Sequence, residues 1–253
     1  GNIGVLSDLK SKIKFIPKDS IDFENMLCVD FTTIESGTCK KPNIGQENFF
    51  RIRSFADHLT AISEEGTLLI SKDHGNSWNV HSLKNITVTD FGVASENTFF
   101  ILTADTKTLR YEVGKSLIEL KKFSTKDITP VKIRFFGAND GFILDREGRL
   151  WKTTDGGFNF SPQVISKKAL NDIYFLSRNI GFVVGDNGAI FRRKDGGNTW
   201  IDINHKKFSY DRVWAFLSPK KQDFDLFILN NLGEILLSED EGENWSIAYK
   251  PKG

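Results

Sequence analysis

The chain has 253 residues and a mass of 28.7 kDa, enough for one large domain or two small ones, either of which can bury a core. Hydrophobic residues make up 39%, charged residues 26%, and mean hydropathy is -0.30; this excludes disordered, collagen-like and coiled-coil classes, and no apolar run reaches the roughly 18 residues of a membrane-spanning helix. Thirty-four basic residues against 33 acidic ones leave a net charge of +1, without the basic excess expected of a nucleic-acid binder.

Residues 1–48 carry no clear pattern. They hold both cysteines, Cys28 and Cys39, with Ser36, Gly37 and Thr38 just before the second. Two thiols make neither a disulfide scaffold nor a structural zinc site. They fit one hairpin disulfide in an oxidising compartment as well as two unpaired thiols. A start at Gly1-Asn2 instead of Met fits removal of a signal segment or of a tag; the expectation leans to a periplasmic or secreted protein. The four histidines, His58, His74, His81 and His205, show no ligand spacing, so no metal or other cofactor is expected.

From residue 49 onward, short alternating apolar runs separated by Gly, Asp and Asn give strand periodicity. The first unit opens with Phe50–Phe55, continues with GTLLIS from Gly66, and ends in the box Ser71-Lys-Asp73-His-Gly75-Asn-Ser77-Trp78. Residues 86–123 have the length and strands of a second unit but no box. The third unit runs from Val131–Phe136 through GRLWKT (from Gly148) to Thr153-Thr-Asp155-Gly-Gly157-Phe-Asn159-Phe160. The fourth has Ile173–Leu176, GAIFRR from Gly188, and Arg193-Lys-Asp195-Gly-Gly197-Asn-Thr199-Trp200. The fifth has Val213–Leu217, GEILLS from Gly233, and Ser238-Glu-Asp240-Glu-Gly242-Glu-Asn244-Trp245. The box aromatics at 78, 160, 200 and 245 are separated by 82, 40 and 45 residues, the first interval being two units of about 41.

Four antiparallel strands in each stretch of about 40 residues describe a β-propeller blade. The predicted fold is therefore an all-β propeller of four-stranded antiparallel blades. The length favours six blades, with five and seven open, and helix is expected nowhere outside residues 1–25. Residues 1–48 are expected to supply closing strands or a degenerate blade, and 49–253 the repeat blades of a single domain.

The boxes resemble the Asp-box (BNR) repeat, S/T-x-D-x-G-x-T-W. The phrase GlyPheValValGlyAspAsnGlyAlaIlePheArgArgLysAspGlyGlyAsnThrTrp, residues 181–200, looks like the photosystem II stability/assembly-factor-like group. The resemblance covers residues 49–250. It implies that each box joins the third and fourth strands of its blade, on the face away from the active site of the family's enzymes. The residue types alone support a turn device: Asp accepts from loop amides, Gly permits positive φ, and the aromatic packs back between sheets. Ser71, Asp73, Gly75, Trp78, Asp155, Gly157, Phe160, Asp195, Gly197, Trp200, Ser238, Asp240, Gly242 and Trp245 are accordingly expected to be scaffold.

Function is then expected at the opposite mouth, where the first strand of each blade begins. Aligned units place Ile52, Phe91, Ile133, Ile173 and Val213 in one column. Arg51, Asp90, Lys132, Asp172 and Arg212 precede them; Arg53, Gly92, Arg134, Tyr174 and Trp214 follow. Alternation sends both flanking columns to the face away from the aliphatic one. Arg51, Arg53, Lys132, Arg134, Tyr174, Arg212 and Trp214 thus form a candidate axial site for an anionic ligand or an acidic protein surface. The alternating signs equally suit a neutralising circle of inter-blade ion pairs. Lysine pairs at 40/41, 121/122, 167/168 and 206/207 fall near the ends of fourth strands, where lysine blocks edge-to-edge association; a basic rim for an acidic partner is the alternative.

Phe50-Arg51-Ile52 also resembles the opening motif of sialidases, F/Y-R-I-P. Arg53 stands at the proline, however, and the first box begins only 18 residues later. Tyr111, Tyr174, Tyr210 and Tyr249 offer no assignable nucleophile–glutamate pair, and no catalytic residue is nominated. The reading is a non-enzymatic recognition module that binds a protein partner, as an assembly or stability factor or an inhibitor or immunity-type protein, monomeric on its own. A sialidase-like glycoside hydrolase acting on an anionic sugar is the alternative.

Overall fold

The computed structural model describes residues 3–4, 15–16, 49–55, 58–73, 75, 77–124, 128–196, 199–203, 208–218 and 224–251. Cys28, Cys39, Gly197, and most of the 1–48 segment lie outside the described residues. Every regular element among the described residues is a strand.

The chain is an all-β propeller of four-stranded antiparallel blades and divides into two compact units, residues 1–122 and 123–253. The first unit opens with a two-stranded antiparallel pair, β1 (Ile3–Gly4) and β2 (Phe15–Ile16). Its first blade is β3 (Phe49–Phe55), β4 (His58–Ser63), β5 (Thr67–Ser71) and β6 (Asn79–Ser82). Its second is β7 (Val88–Ser95), β8 (Thr98–Thr103), β9 (Lys107–Glu112) and β10 (Ile118–Lys122).

The second unit holds three blades. The third comprises β11 (Pro130–Phe135), β12 (Gly141–Asp145), β13 (Arg149–Thr153) and β14 (Ser161–Val164). The fourth comprises β15 (Leu170–Phe175), β16 (Gly181–Gly185), β17 (Ile190–Arg193) and β18 (Ile201–Asp202). The fifth comprises β19 (Tyr210–Leu217), β20 (Phe224–Asn230), β21 (Ile235–Ser238) and β22 (Ser246–Tyr249). Strands follow one another in sequence order across every blade. The described residues thus form five blades, where length favoured six. The count differs because the first 48 residues contribute only the β1–β2 pair to the described strands.

Composition follows position in the blade. The second strands of blades two, three and four, Thr98–Thr103 (TFFILT), Gly141–Asp145 (GFILD) and Gly181–Gly185 (GFVVG), are near-continuous apolar runs buried along their whole length, whereas β20 of blade five alternates. Fourth strands are short and mostly exposed. A strand buried on both faces has no use for alternation, so a pleated reading locates these inner strands less sharply than the outer ones.

In the first unit, Ile62, Leu68 and Ile70 of blade one pack with Phe91, Phe99, Ile101 and Leu109 of blade two. In the second, Phe142, Leu144 and Leu150 meet Ile173, Val183 and Phe191 between blades three and four. A further cluster joins Phe182, Val184 and Ile190 to Val213, Leu226 and Ile228 of blade five. Each fully buried side chain of this kind contributes about 1.5–3 kcal/mol relative to exposure.

The glycines opening the third strands sit in the hairpin between strands two and three. Gly148 has φ +88°, and a Cβ there would lie 2.1 Å from the Ser166 carbonyl oxygen; both backbone conformation and space demand glycine. Blade two departs from this rule, placing Thr106 in the left-handed region at φ 63°.

Candidate functional site

Antiparallel order puts the start of each first strand and the two-to-three hairpin at one end of a blade. The boxes, between strands three and four, stand at the other end.

At the box end, three of the four box loops close on themselves. The Gly75 amide donates to Ser71 Oγ at 2.7 Å, and the Ser77 amide to Asp73 Oδ1 at 2.8 Å. Trp78 Nε1 returns to the Gly75 carbonyl at 3.0 Å. The pattern recurs at Thr153, Asp155 and Asn159, and at Ser238, Asp240 and Asn244. Trp245 Nε1 donates to the Gly242 carbonyl at 3.1 Å. Phe160 has no N–H to offer and packs on Phe123 at 5.5 Å. Amide and side-chain donors from Asn159 hold the Asp155 carboxyl down to about 2, and those from Asn244 do the same for Asp240. Their oxygens are engaged by their own loop.

The third box differs. Arg193 occupies the place of the hydroxyl and is buried, its guanidinium lying 5.2, 5.0 and 5.4 Å from the rings of Phe142, Phe175 and Trp200. It donates to the Arg178 carbonyl at 2.7 Å. Burial lowers its pKa from the ordinary arginine value. Asp195 shares this box; Gly197 lies outside the described residues.

At the opposite end, the aliphatic column is buried at Phe91, Ile133, Ile173 and Val213, and Ile52 packs against a small cluster with Phe49, Ala61 and Leu69. In the first unit, Arg51 and Arg53 of β3 converge on Asp90 of β7. Arg51 Nε and Arg53 Nη2 each donate to Asp90 Oδ1 at 3.0 Å. Arg53 Nε also donates to the Phe91 carbonyl at 2.7 Å, with its guanidinium 5.3 Å from the Phe91 ring. Asp90 is fully buried. Two arginines on one blade thus grip one carboxylate on the next.

In the second unit the corresponding carboxylate is Asp172 of β15, also buried. Arg134 Nη2 of β11 stands 3.7 Å from Asp172 Oδ1, too far for a hydrogen bond, and Arg134 Nη1 donates to its neighbour's carbonyl at Ile133. Asp172 Oδ2 accepts from the Val213 amide of β19 at 3.1 Å. Lys132 is buried, whereas Tyr174, Arg212 and Trp214 are half-buried. Arg212 Nη1 donates to the Asp211 carbonyl at 2.7 Å. The structure therefore brings Arg51, Arg53 and Asp90 together in one unit, and Arg134 and Asp172 in the other.

The tyrosines weighed for nucleophilic chemistry are differently employed. Tyr210 is wholly buried in the core of blades four and five, and burial pushes its pKa up to about 12. Tyr111 lies against Phe99 and meets His81 Nδ1 at 3.1 Å. Among the described residues no group of three or more His, Cys, Asp and Glu is arranged to hold a metal ion. No helix among them is long and apolar enough to cross a membrane.

One recurring device went unread in the sequence. In four of the five blades the residue opening the two-to-three hairpin supplies a side-chain oxygen to the amides that follow, the exception being blade four with Gly185 at this place. The Thr67 amide donates to Ser63 Oγ at 3.0 Å and the Lys107 amide to Thr103 Oγ1 at 3.0 Å. Asp145 Oδ1 accepts from the Glu147 amide at 3.1 Å, and Asn230 Oδ1 from the Leu232 and Glu234 amides at 3.0 Å each. Residue identity varies while the acceptor persists, so letter matching finds only the glycine beside it.

A family profile described as photosynthesis system II assembly factor YCF48 matches residues 162–252. The curated proteins contain no match to the chain. Among solved structures, YCF48 bound to a D1 peptide aligns with a TM-score of 0.56 and 18% identity, covering 75% of this chain and 64% of that one. The chain thus spans less than two thirds of that protein. YCF48 from Cyanidioschyzon merolae aligns with a TM-score of 0.55 and 12% identity, over 81% of this chain and 86% of its own. Virginiamycin B lyase from Staphylococcus aureus aligns with a TM-score of 0.63 and 14% identity, over 82% and 71%. At these identities the likeness is one of fold, and the fold carries binding proteins and enzymes alike. The chain is a BNR-type propeller that resembles the photosystem II assembly factor.

Proposed function

We propose that this propeller is a non-enzymatic recognition module that holds a peptide segment of a protein partner, in the manner of an assembly or stability factor. The carrying observation is the assembly-factor profile over residues 162–252, together with a propeller likeness to a YCF48 that has a D1 peptide bound. The proposed contacts are Arg51 and Arg53 in the first unit, and Lys132, Arg134, Tyr174, Arg212 and Trp214 in the second. Arginine there offers planar donors to a carboxylate or to peptide carbonyls, and Tyr and Trp offer rigid contact area. Asp90 in the first unit and Asp172 in the second limit how much net positive charge each set presents, so recognition rests on hydrogen-bond direction as much as on charge. A sialidase-like activity is not favoured, since Tyr111 and Tyr210 are engaged in packing and Arg53 replaces the motif proline.

The test begins with cross-linking and identification of the partner from native extract, followed by binding of synthetic peptides that tile the identified protein. A single peptide should bind saturably, and the Arg53→Glu/Arg134→Glu variant, if folded, should bind it at least about tenfold more weakly. Unchanged affinity in the folded variant overturns the arginine column as the contact. Turnover of a fluorogenic sialoside above background overturns the non-enzymatic reading.

A further inference from the structure

We infer that Asn85 is a site of covalent modification, the acceptor of an N-linked oligosaccharide. It opens the triplet Asn85-Ile86-Thr87, which has the form N-x-S/T with a residue other than proline in the middle. The sequence holds two more triplets of this form, Asn159-Phe160-Ser161 and Asn244-Trp245-Ser246. Three-letter matches arise by chance, so the choice among them falls to the structure.

The other two are locked. Asn159 Nδ2 donates to Asp155 Oδ2 at 2.8 Å, and Asn244 Nδ2 to Asp240 Oδ2 at 2.7 Å. In each, the nitrogen to be modified is already part of a box. Their middle residues are packed as well, Phe160 on Phe123 and Trp245 on the core of blades four and five. Presenting either triplet to an enzyme means opening a box.

Asn85 is placed otherwise. It lies in the connection between β6 and β7, where Leu83 and Val88 are buried and Asn85 and Thr87 are exposed. The backbone is pinned on both sides. The Leu83 amide donates to the Gly66 carbonyl and the Val88 amide to the Glu64 carbonyl, each at 2.8 Å, and the Thr87 carbonyl accepts from the Ala104 amide at 2.9 Å. Ile86 packs against the core of the first unit. Burying the middle residue holds the amide and the hydroxyl at the surface together. Among the described residues none hydrogen-bonds to the Asn85 carboxamide. Asn85 has φ 62°, a conformation that asparagine tolerates better than most side chains. That geometry accounts for the asparagine, but it asks for no hydroxyl at residue 87.

In the reaction, Asn85 Nδ2 attacks the anomeric carbon of an oligosaccharide carried on a lipid pyrophosphate. A C–N bond forms as the C–O bond to the pyrophosphate breaks. The lipid pyrophosphate leaves with the electron pair, and Nδ2 gives one proton to a base of the transferring enzyme. The chain supplies only the acceptor, so the modification requires passage through a compartment that holds that enzyme and its lipid-linked donor.

This site does not rest on the peptide-binding reading, and its test leaves that reading untouched. The experiment is peptide mapping by mass spectrometry on the intact protein purified from the cells that make it, before and after an amidase that removes N-linked glycans and leaves aspartate. The peptide containing Asn85 should carry a glycan mass that the amidase removes, and those containing Asn159 and Asn244 should be bare. Thr87→Ala, made in the same cells, keeps the asparagine and the backbone bonds of the turn and should abolish the modification; Thr87→Ser should retain it. Asn85→Gly should abolish it with an unchanged melting profile, since glycine accepts the same φ. Asn85 bare in the native protein, a glycan on Asn85 that survives Thr87→Ala, or modification of Asn159 or Asn244 in its place overturns the proposal.

Discussion

Asp90 and Asp172 stand at the same place in their blades, one residue before the buried column, and their surroundings differ. Asp90 takes two guanidinium hydrogen bonds at 3.0 Å from the preceding blade. Asp172 faces a single guanidinium at 3.7 Å and turns its other oxygen to the backbone of the following blade. The first is a closed ionic knot; the second couples blade four to blade five through a main-chain amide and leaves Oδ1 without a hydrogen-bond donor. The repeat delivers a carboxylate to each position. What it does there depends on whether the blade before it supplies arginine on one side of the column residue or on both.

The largest effect is expected from Asp90→Ala. It strands Arg51 and Arg53, about four-fifths buried, without their common partner, and should cost about 3–5 kcal/mol in urea unfolding. Asp172→Ala loses one amide bond and a loose ion pair and should cost about 1–3 kcal/mol. Equal losses in the two variants would break the distinction. Finer still is the guanidinium itself. Arg53→Lys forfeits the fork that reaches both Asp90 and the Phe91 carbonyl and should cost about 1 kcal/mol, whereas Arg134→Lys should stay within about 0.5 kcal/mol.

The smallest effect belongs to the boxes, whose carboxylates are solvent-facing, unlike the buried pair. Asp155 and Asp240 have native pKa values of about 2, below the ordinary 3.8. A depressed native pKa gives stability that is present above the unfolded value and lost as pH falls through the native one. Stability should therefore decline on acidification from 3.8 towards about 2. Amide shifts of Asn159 and Asn244 followed by NMR should report midpoints near the lower figure; midpoints near 3.8 would show that the loop bonds do not hold in solution.

Much of this was readable in the chain because the box is a local device. Ser71, Asp73, Gly75 and Trp78 meet within eight residues, so their spacing survives in sequence. Blade two was found by length and by the runs around Phe99 and Leu109, even without a box. The alternating charges of Arg51, Asp90, Lys132, Asp172 and Arg212 were visible as well. Which charges meet was not, because Arg51 and Asp90 are 39 residues apart and their contact depends on the packing of neighbouring blades. Arg193 was hidden for the opposite reason: it occupies a hydroxyl position, and only the surrounding rings of Phe142, Phe175 and Trp200 explain it. Chain length alone leaves five, six and seven blades open, because it does not say how many residues each blade takes.

The last box has a further attachment. Arg192 of β17 donates to the Glu241 carbonyl at 2.7 Å and reaches the carboxylates of Glu241 and Glu243, and Lys194 binds Glu241 as well. Blade four thus holds the turn of blade five from outside, while the two share one apolar core. Neither can open alone without exposing that core and releasing the clamp. In native-state hydrogen exchange, the amides of Val183 and Ile228 should therefore open in one cooperative event, with the same free energy and the same denaturant dependence. The outer strand Ser246–Tyr249 should exchange earlier, by fraying at its exposed edge.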